Sequence, residues 1–171
     1  ESGLTSLTGW WNCIATADID NDGDLDFAAG NLGLNTSYSA TPDAPARLYH
    51  GRFLGLERPE IVESYFENGR EFPVRGFDQL SRALPPLRQK FLNFHQYSSM
   101  ALDGVIPADE LAAARRLEAN TFASGILRND GTGRFTFEPF PRIAQLAPIN
   151  DLAFTDADGD GHLDLVCAQN D

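Results

Sequence analysis

The chain is short of positive charge. Its 171 residues include 13 Lys or Arg against 25 Asp or Glu, for a net charge of −12. Nucleic-acid binding rests on Lys and Arg neutralising phosphates, and anionic membrane surfaces attract the same residues, so both partners are disfavoured. The densest basic group, Arg82, Arg88 and Lys90, reads as a solvated face. Long apolar runs are also missing, so no membrane-inserted helix is expected. The first residues do not read as a signal peptide. Histidine is sparse: His50, His95 and His162 stand apart from one another. There is no Ser–His–Asp set, no zinc-type spacing and no pair of catalytic carboxylates outside the acidic loops described next. The chain is therefore expected not to be an enzyme. Cys13 and Cys167 read as small buried hydrophobes, and pairing them would require Cα atoms within ~7 Å.

The acids that are present are crowded. Nine of the 25 lie in two short segments, DIDNDGDLD at 18–26 and DADGDGHLD at 156–164. Carboxylates at that density repel one another unless a cation compensates. The pattern D-x-D-x-D-G-x-x-D suits a hard cation with oxygen ligands, above all calcium. In the first segment Asp18, Asp20 and Asp22 take positions one, three and five, Asp24 offers its backbone carbonyl, and Asp26 closes the loop. In the second the same places fall to Asp156, Asp158, Asp160, the carbonyl of His162, and Asp164. Gly23 and Gly161 sit at position six, where a turn needs a residue without a side chain. The helix–loop–helix calcium motif is excluded. It needs Glu at position twelve, where this chain has Ala29 and Cys167. The apolar runs after each loop, LDFAAGN and LDLVCAQN, read as buried strands.

The similarity extends beyond the loops. Asn12, Ile14, Ala15 and Leu25 match Asn150, Leu152, Ala153 and Leu163 at a constant offset of 138. The repeated unit is strand, carboxylate loop, strand, and such repetition points to a propeller or a solenoid. The two loops, together with GWWNCIATADIDNDGDLDFAAGNLGLNT, FENGREFPVRGFDQLSRALPPLRQKF and LEANTFASGILRNDGTGRFTFEPFP, resemble the FG-GAP or VCBS repeats of integrin-α-type β-propellers. Within these they are similar to large bacterial VCBS-repeat proteins related to the ASPIC/UnbV and cartilage acidic protein family. The resemblance implies a mainly β fold of propeller-type blades, two Ca²⁺ sites, and an extracellular, cell-surface or periplasmic setting. One departure is clear: residues 48–62, where a third acidic loop would fall, carry only Glu57 and Glu60, so no metal is assigned there.

A full propeller needs at least four blades of roughly 40–50 residues. The chain is thus expected to be one FG-GAP/VCBS-type domain, a partial propeller from a larger protein. Residues 1–76 would hold the first calcium-loop blade and a degenerate repeat, 77–119 a helical insertion, and 120–171 a hairpin and the second calcium-loop repeat. Incomplete blades leave open faces and edges, so homo-oligomers or strand exchange are expected possibilities.

Turn signals divide the middle. Asn68-Gly69 predicts a hairpin between EIVESYF and REFPVR, and NDGTG at 129–133 predicts another. Between them Phe77, Leu80, Leu84, Leu87, Phe91 and Phe94 recur at helical spacing. Pro85-Pro86 splits that run into two helices. A further helix is predicted to start near Pro107 and continue through ADELAAARRLEA. The insertion reads as a lid over blade edges. HQYSSM, at 95–100, reads as a loop between helices.

The functional expectation is a calcium-binding, non-catalytic scaffold for binding or adhesion, with an unidentified protein or glycan ligand. Two alternatives stand beside it. One is a carbohydrate-binding module, for which Trp10-Trp11 is the only hint, because adjacent strand residues face opposite sides and one would be exposed. The other is the non-catalytic part of a larger secreted enzyme. Two bound Ca²⁺ would bring the net charge from −12 to −8.

Overall fold

A computed structural model describes residues 2–91 and 94–170, the side chain of Phe94 excepted. In chain order the strands are β1 (Cys13–Ala17), β2 (Asp26–Gly30), β3 (Ala46–Gly51), β4 (Glu60–Glu67) and β5 (Arg70–Pro73). Helices α1 (Phe77–Ala83), α2 (Leu87–Lys90), α3 (Phe94–Ser98), α4 (Leu102–Val105) and α5 (Ala108–Ala113) follow. The chain ends with β6 (Arg115–Ala119), β7 (Gly125–Asn129), β8 (Phe135–Pro139), β9 (Ile149–Thr155) and β10 (Asp164–Gln169). The fold is mainly β, with antiparallel sheets and short helices. Among the described residues no sheet closes into a barrel or a propeller.

The chain forms two compact units: residues up to 37 together with those from 121 onward, and residues 38–120. The first holds a four-stranded sheet in the order β1-β2-β7-β8 and the hairpin β9-β10. The sheet is a meander interrupted once. The chain leaves it after β2 and returns at β7, where Phe27 pairs with Leu127 and Ala29 with Gly125. Buried polar groups fasten the points of exit and return. Asn31 Oδ1 accepts the backbone N–H groups of Trp10 and Leu32, and its amide donates to the carbonyls of Thr121 and Ala123. Gln145 accepts the Ser124 N–H and donates to the Ser124 carbonyl. A buried polar side chain left without partners would cost ~1–3 kcal/mol, and these have theirs.

The two faces of the β1-β2 pair differ. Alternation puts Cys13, Ala15 and Ala28 on one face, and these pack with Ile149, Leu152, Phe154, Leu165 and Cys167 of the β9-β10 hairpin. The small side chains let the hairpin lie close: a Cβ on Gly30 would meet the Ile149 carbonyl oxygen at 2.7 Å. The other face carries Ile14, Phe27, Leu127 and Phe137, with the Phe27 ring tilted against Phe135 and the Trp11 ring edge-on to Phe137. Trp10 meets Phe122 in the same T-shaped way. Both tryptophans are half-buried, where the sequence led us to expect one buried and one exposed. LDLVCAQN was expected to be buried, yet β10 is largely exposed, with β9 its one strand neighbour among the described residues. Cys13 and Cys167 are free thiols, and burial raises the pKa of each.

The second unit has a four-stranded sheet in the order β5-β4-β3-β6. The β4-β5 hairpin turns through Asn68 and Gly69, both at positive φ (51° and 73°), as a two-residue hairpin turn requires. Tyr49, Phe53 and Val62 form a core with Leu80, Leu84, Leu87 and Ile106 from the helical segment. Each buried Leu or Ile contributes ~1.5–3 kcal/mol, so the short helices are held by burial rather than by propensity. The proline pair separates α1 from α2 as expected. HQYSSM, expected as a loop, is mostly α3. Its Tyr97 is buried in the core and donates to the Arg75 carbonyl at 2.6 Å. Phe94, assigned to the apolar face from sequence, has its side chain outside the described residues. The helix expected through residue 119 ends at Ala113. Ala114 turns extended (φ −74°, ψ 150°), and Arg115–Ala119 pair with β3 as β6. A free strand edge overrides the helix propensity of RRLEA. One polar ladder crosses all four strands. Glu71 of β5 accepts from Ser64 of β4 and from Arg47 and Tyr49 of β3, while Arg47 also donates to Glu118 of β6. Among the described residues no acidic cluster falls in 48–62.

Candidate metal centre

The two acidic loops each link the strands of a hairpin, residues 18–26 joining β1 to β2 and 156–164 joining β9 to β10. Their pairing registers coincide at the offset of 138: Ile14 pairs with Ala29 as Leu152 does with Cys167, and Ala17 with Asp26 as Thr155 does with Asp164. Backbone geometry repeats too. Asn21 and Gly23 are left-handed (φ 59° and 95°), as are Gly159 and Gly161 (79° and 87°).

The hydrogen bonds inside the loops also correspond. Asp18 accepts the N–H groups of Asp22 and Gly23 at 3.1 and 3.0 Å, and Asp156 accepts those of Asp160 and Gly161, both at 3.1 Å. Asp26 accepts from Ile19 at 3.2 Å and Asp164 from Ala157 at 3.0 Å. Asp22 accepts from Asp24 at 2.9 Å, as Asp160 does from His162 at 2.8 Å. The first Asp of each loop therefore gathers backbone donors, and the last Asp ties the loop back to its start.

The carboxylates converge, though not all those the sequence nominated. In the first loop oxygens of Asp18, Asp20 and Asp22 lie within 4.8 Å of one another, and in the second those of Asp156, Asp158 and Asp164 do. Asp160 and Asp26 stand outside these sets. Asp26 is buried, and its other oxygen accepts the Asn129 N–H at 2.7 Å, so it joins the loop to β7. Asp24 turns its carboxylate away, towards Gly131 in the β7-β8 turn, where an added Cβ would meet it at 2.7 Å. The His162 side chain is exposed. The donors in each set are all carboxylate oxygens, the chemistry of a hard cation. His50 and His95 are exposed on other elements.

Sequence reasoning missed Arg128. Its guanidinium donates to Asp20 at 2.9 Å and lies 3.7 Å from Asp26 and 3.5 Å from Glu138. The hydrogen bond to Asp20, followed by the neighbouring carboxylates, raises the pKa of Arg128. No local signal ties Arg128 to a loop more than a hundred positions earlier; the link arises only when β7 joins β2. The second loop has no counterpart to it among the described ion pairs. No family model, curated protein or solved structure matches the chain.

Proposed function

We propose that this chain is a calcium-stabilised, non-catalytic scaffold, a segment of a propeller-type assembly that presents a binding or adhesion surface in a calcium-rich extracellular setting. The observation that carries the reading is one loop built twice. Register, left-handed positions and internal hydrogen bonds recur, and each copy converges three carboxylates. Asp18, Asp20 and Asp22 would hold one ion, and Asp156, Asp158 and Asp164 the other. The carbonyls of Asp24 and His162, with Asp160 and Asp26, are the remaining donors that the loop pattern nominates. The ion would neutralise each loop and clamp the two strands it joins. The four-stranded β1-β2-β7-β8 meander has the form of one blade and β9-β10 that of the start of another, which supports the propeller reading. Glycan stacking has weaker support, since Trp10 and Trp11 are half-buried against Phe122 and Phe137.

Calcium titration of EDTA-stripped protein by calorimetry, with a melting curve at each end point, tests the reading. Two sites are expected. With dissociation constants of ~10⁻⁴–10⁻³ M, typical of extracellular modules, 1 mM calcium would stabilise the fold by about 0.4–1.4 kcal/mol per site. Absence of binding, or binding with an unchanged melting curve, refutes it.

A further inference from the structure

Arg128 holds its guanidinium forked between carboxylates on two sides. On one side Nη1 donates to Asp20 Oδ2 at 2.9 Å and lies 3.7 Å from Asp26 Oδ2. On the other, Nε lies 3.5 Å from Glu138 Oε2. The sheet dictates this fork. Arg128 of β7 pairs with Thr136 of β8, so Glu138 is its diagonal neighbour on the same face, within reach of a long side chain. Asp20 is also one of the three carboxylates that converge in the first loop. One arm of the arginine is therefore paired with an oxygen donor that a metal would claim, and the other already faces a carboxylate outside the loop. The Asp20 pair is partly exposed, at 30% and 38% of the two side chains, and ion pairs of that kind are weak. A divalent cation among the loop carboxylates competes for Asp20 and repels the guanidinium at once.

We propose that Arg128 is a two-position switch: without metal it is the counter-cation of the first loop, held on Asp20, and when a divalent cation takes Asp20 it shifts its pairing to Glu138. Resting on the metal reading of the loop, this adds a route outward from it, because occupation of the loop after β1 changes the charge pairing on β8, two strands beyond β2. The coupling is reciprocal: by holding the displaced arginine, Glu138 raises the affinity of the first loop for calcium.

Calcium titration followed by two-dimensional NMR provides the test. The Gly23 and Gly161 amides, which donate to Asp18 and Asp156, read the two loops separately, and the Arg128 Nε–H reads the switch. Wild type, Glu138→Gln, Arg128→Met and the double variant form a double-mutant cycle. Both side chains are partly exposed, and matching circular dichroism spectra establish that each variant is folded. With Arg128 present, Glu138→Gln is expected to weaken calcium binding at Gly23 by about two- to fivefold. In the Arg128→Met background the loss is expected to be much smaller, since only a distant charge is removed, and the Gly161 midpoint is expected to stay put throughout. In the wild type the Arg128 Nε–H resonance should move with the Gly23 midpoint. Equal effects of Glu138→Gln in the two backgrounds overturn the switch while leaving calcium at the loop, because the glutamate would then act through its charge alone. An Arg128 resonance that stays in place as Gly23 saturates does the same. A Gly23 amide indifferent to calcium in all four chains removes the metal reading itself, and the switch with it.

Discussion

Asp26 and Asp164 occupy the same place in the two loops, yet their surroundings differ, and replacing each with alanine in EDTA isolates that difference. Asp26 is 1% exposed and accepts two backbone N–H groups, from Ile19 at 3.2 Å and Asn129 at 2.7 Å, with Arg128 at 3.7 Å. Hydrogen bonds to a charged group contribute ~1.5–3 kcal/mol each. Alanine would leave two donors without acceptors where water enters poorly. Allowing for relaxation, the loss at Asp26 is about 3–5 kcal/mol, a melting temperature lower by roughly 6–20 °C for a chain of this size. Asp164 is exposed and, among the described residues, accepts the Ala157 N–H alone, which water can satisfy, so Asp164→Ala is expected to change the metal-free melting curve little. Asp26→Asn keeps an acceptor oxygen without the charge and falls between. Thermal unfolding followed by circular dichroism reads all three. Equal effects of the two alanine substitutions would refute the reasoning, since they would mean that the bond from Asp26 to β7 contributes nothing.

Three further outcomes follow from the same geometry. Arg128→Met removes a cation beside the first loop only, so calorimetry should show its calcium affinity rise by up to about tenfold with the second loop unchanged; equal shifts at both would contradict the pairing with Asp20. Gly30→Ala places a Cβ 2.5 Å from the Cys13 sulfur and 2.7 Å from the Ile149 carbonyl oxygen, and is expected to cost about 1–3 kcal/mol by overpacking; an unchanged melting curve would mean that β9 does not lie over β2. Burial, and then the nearby Tyr65, push the Tyr97 phenol well above its ordinary value. A group raised in the folded state contributes stability that is complete below its unfolded pKa, near 10, and is lost as pH rises towards the folded value. Melting temperatures between pH 9 and 11.5 should therefore fall, and more shallowly in Tyr97→Phe; parallel curves would assign the alkaline loss to other groups.

What was legible in the sequence was local. Asn68-Gly69 and the NDGTG turn announced their hairpins because a turn's chemistry lies within a few residues. The acidic loops announced themselves by spacing, and the strands after them by composition. What was not legible depended on distant partners. RRLEA has good helix formers, and only the open edge of β3 makes it a strand. That β7 completes the sheet begun by β1 and β2 could not be read, because the pairing spans almost a hundred positions. Without it neither Arg128 nor the double role of Asp26 is visible. The lost burial of β10 has the same origin: a strand's pattern states what it can cover, not which neighbours are there to cover it.

The interruption between β2 and β7 sets a timetable for synthesis. A ribosome releases β2 well before β7, and at ~5–20 residues per second the intervening stretch occupies roughly 5–20 s. All the strands and helices of the second unit lie within residues 38–120, so they can finish folding while β2 still has an empty edge. The Asn31 amide, which ends up bonded to Thr121 and Ala123, must wait with it. A mutation that slows folding of the second unit would then harm the first without touching it. It would prolong the interval in which an open strand edge meets the edges of other nascent chains.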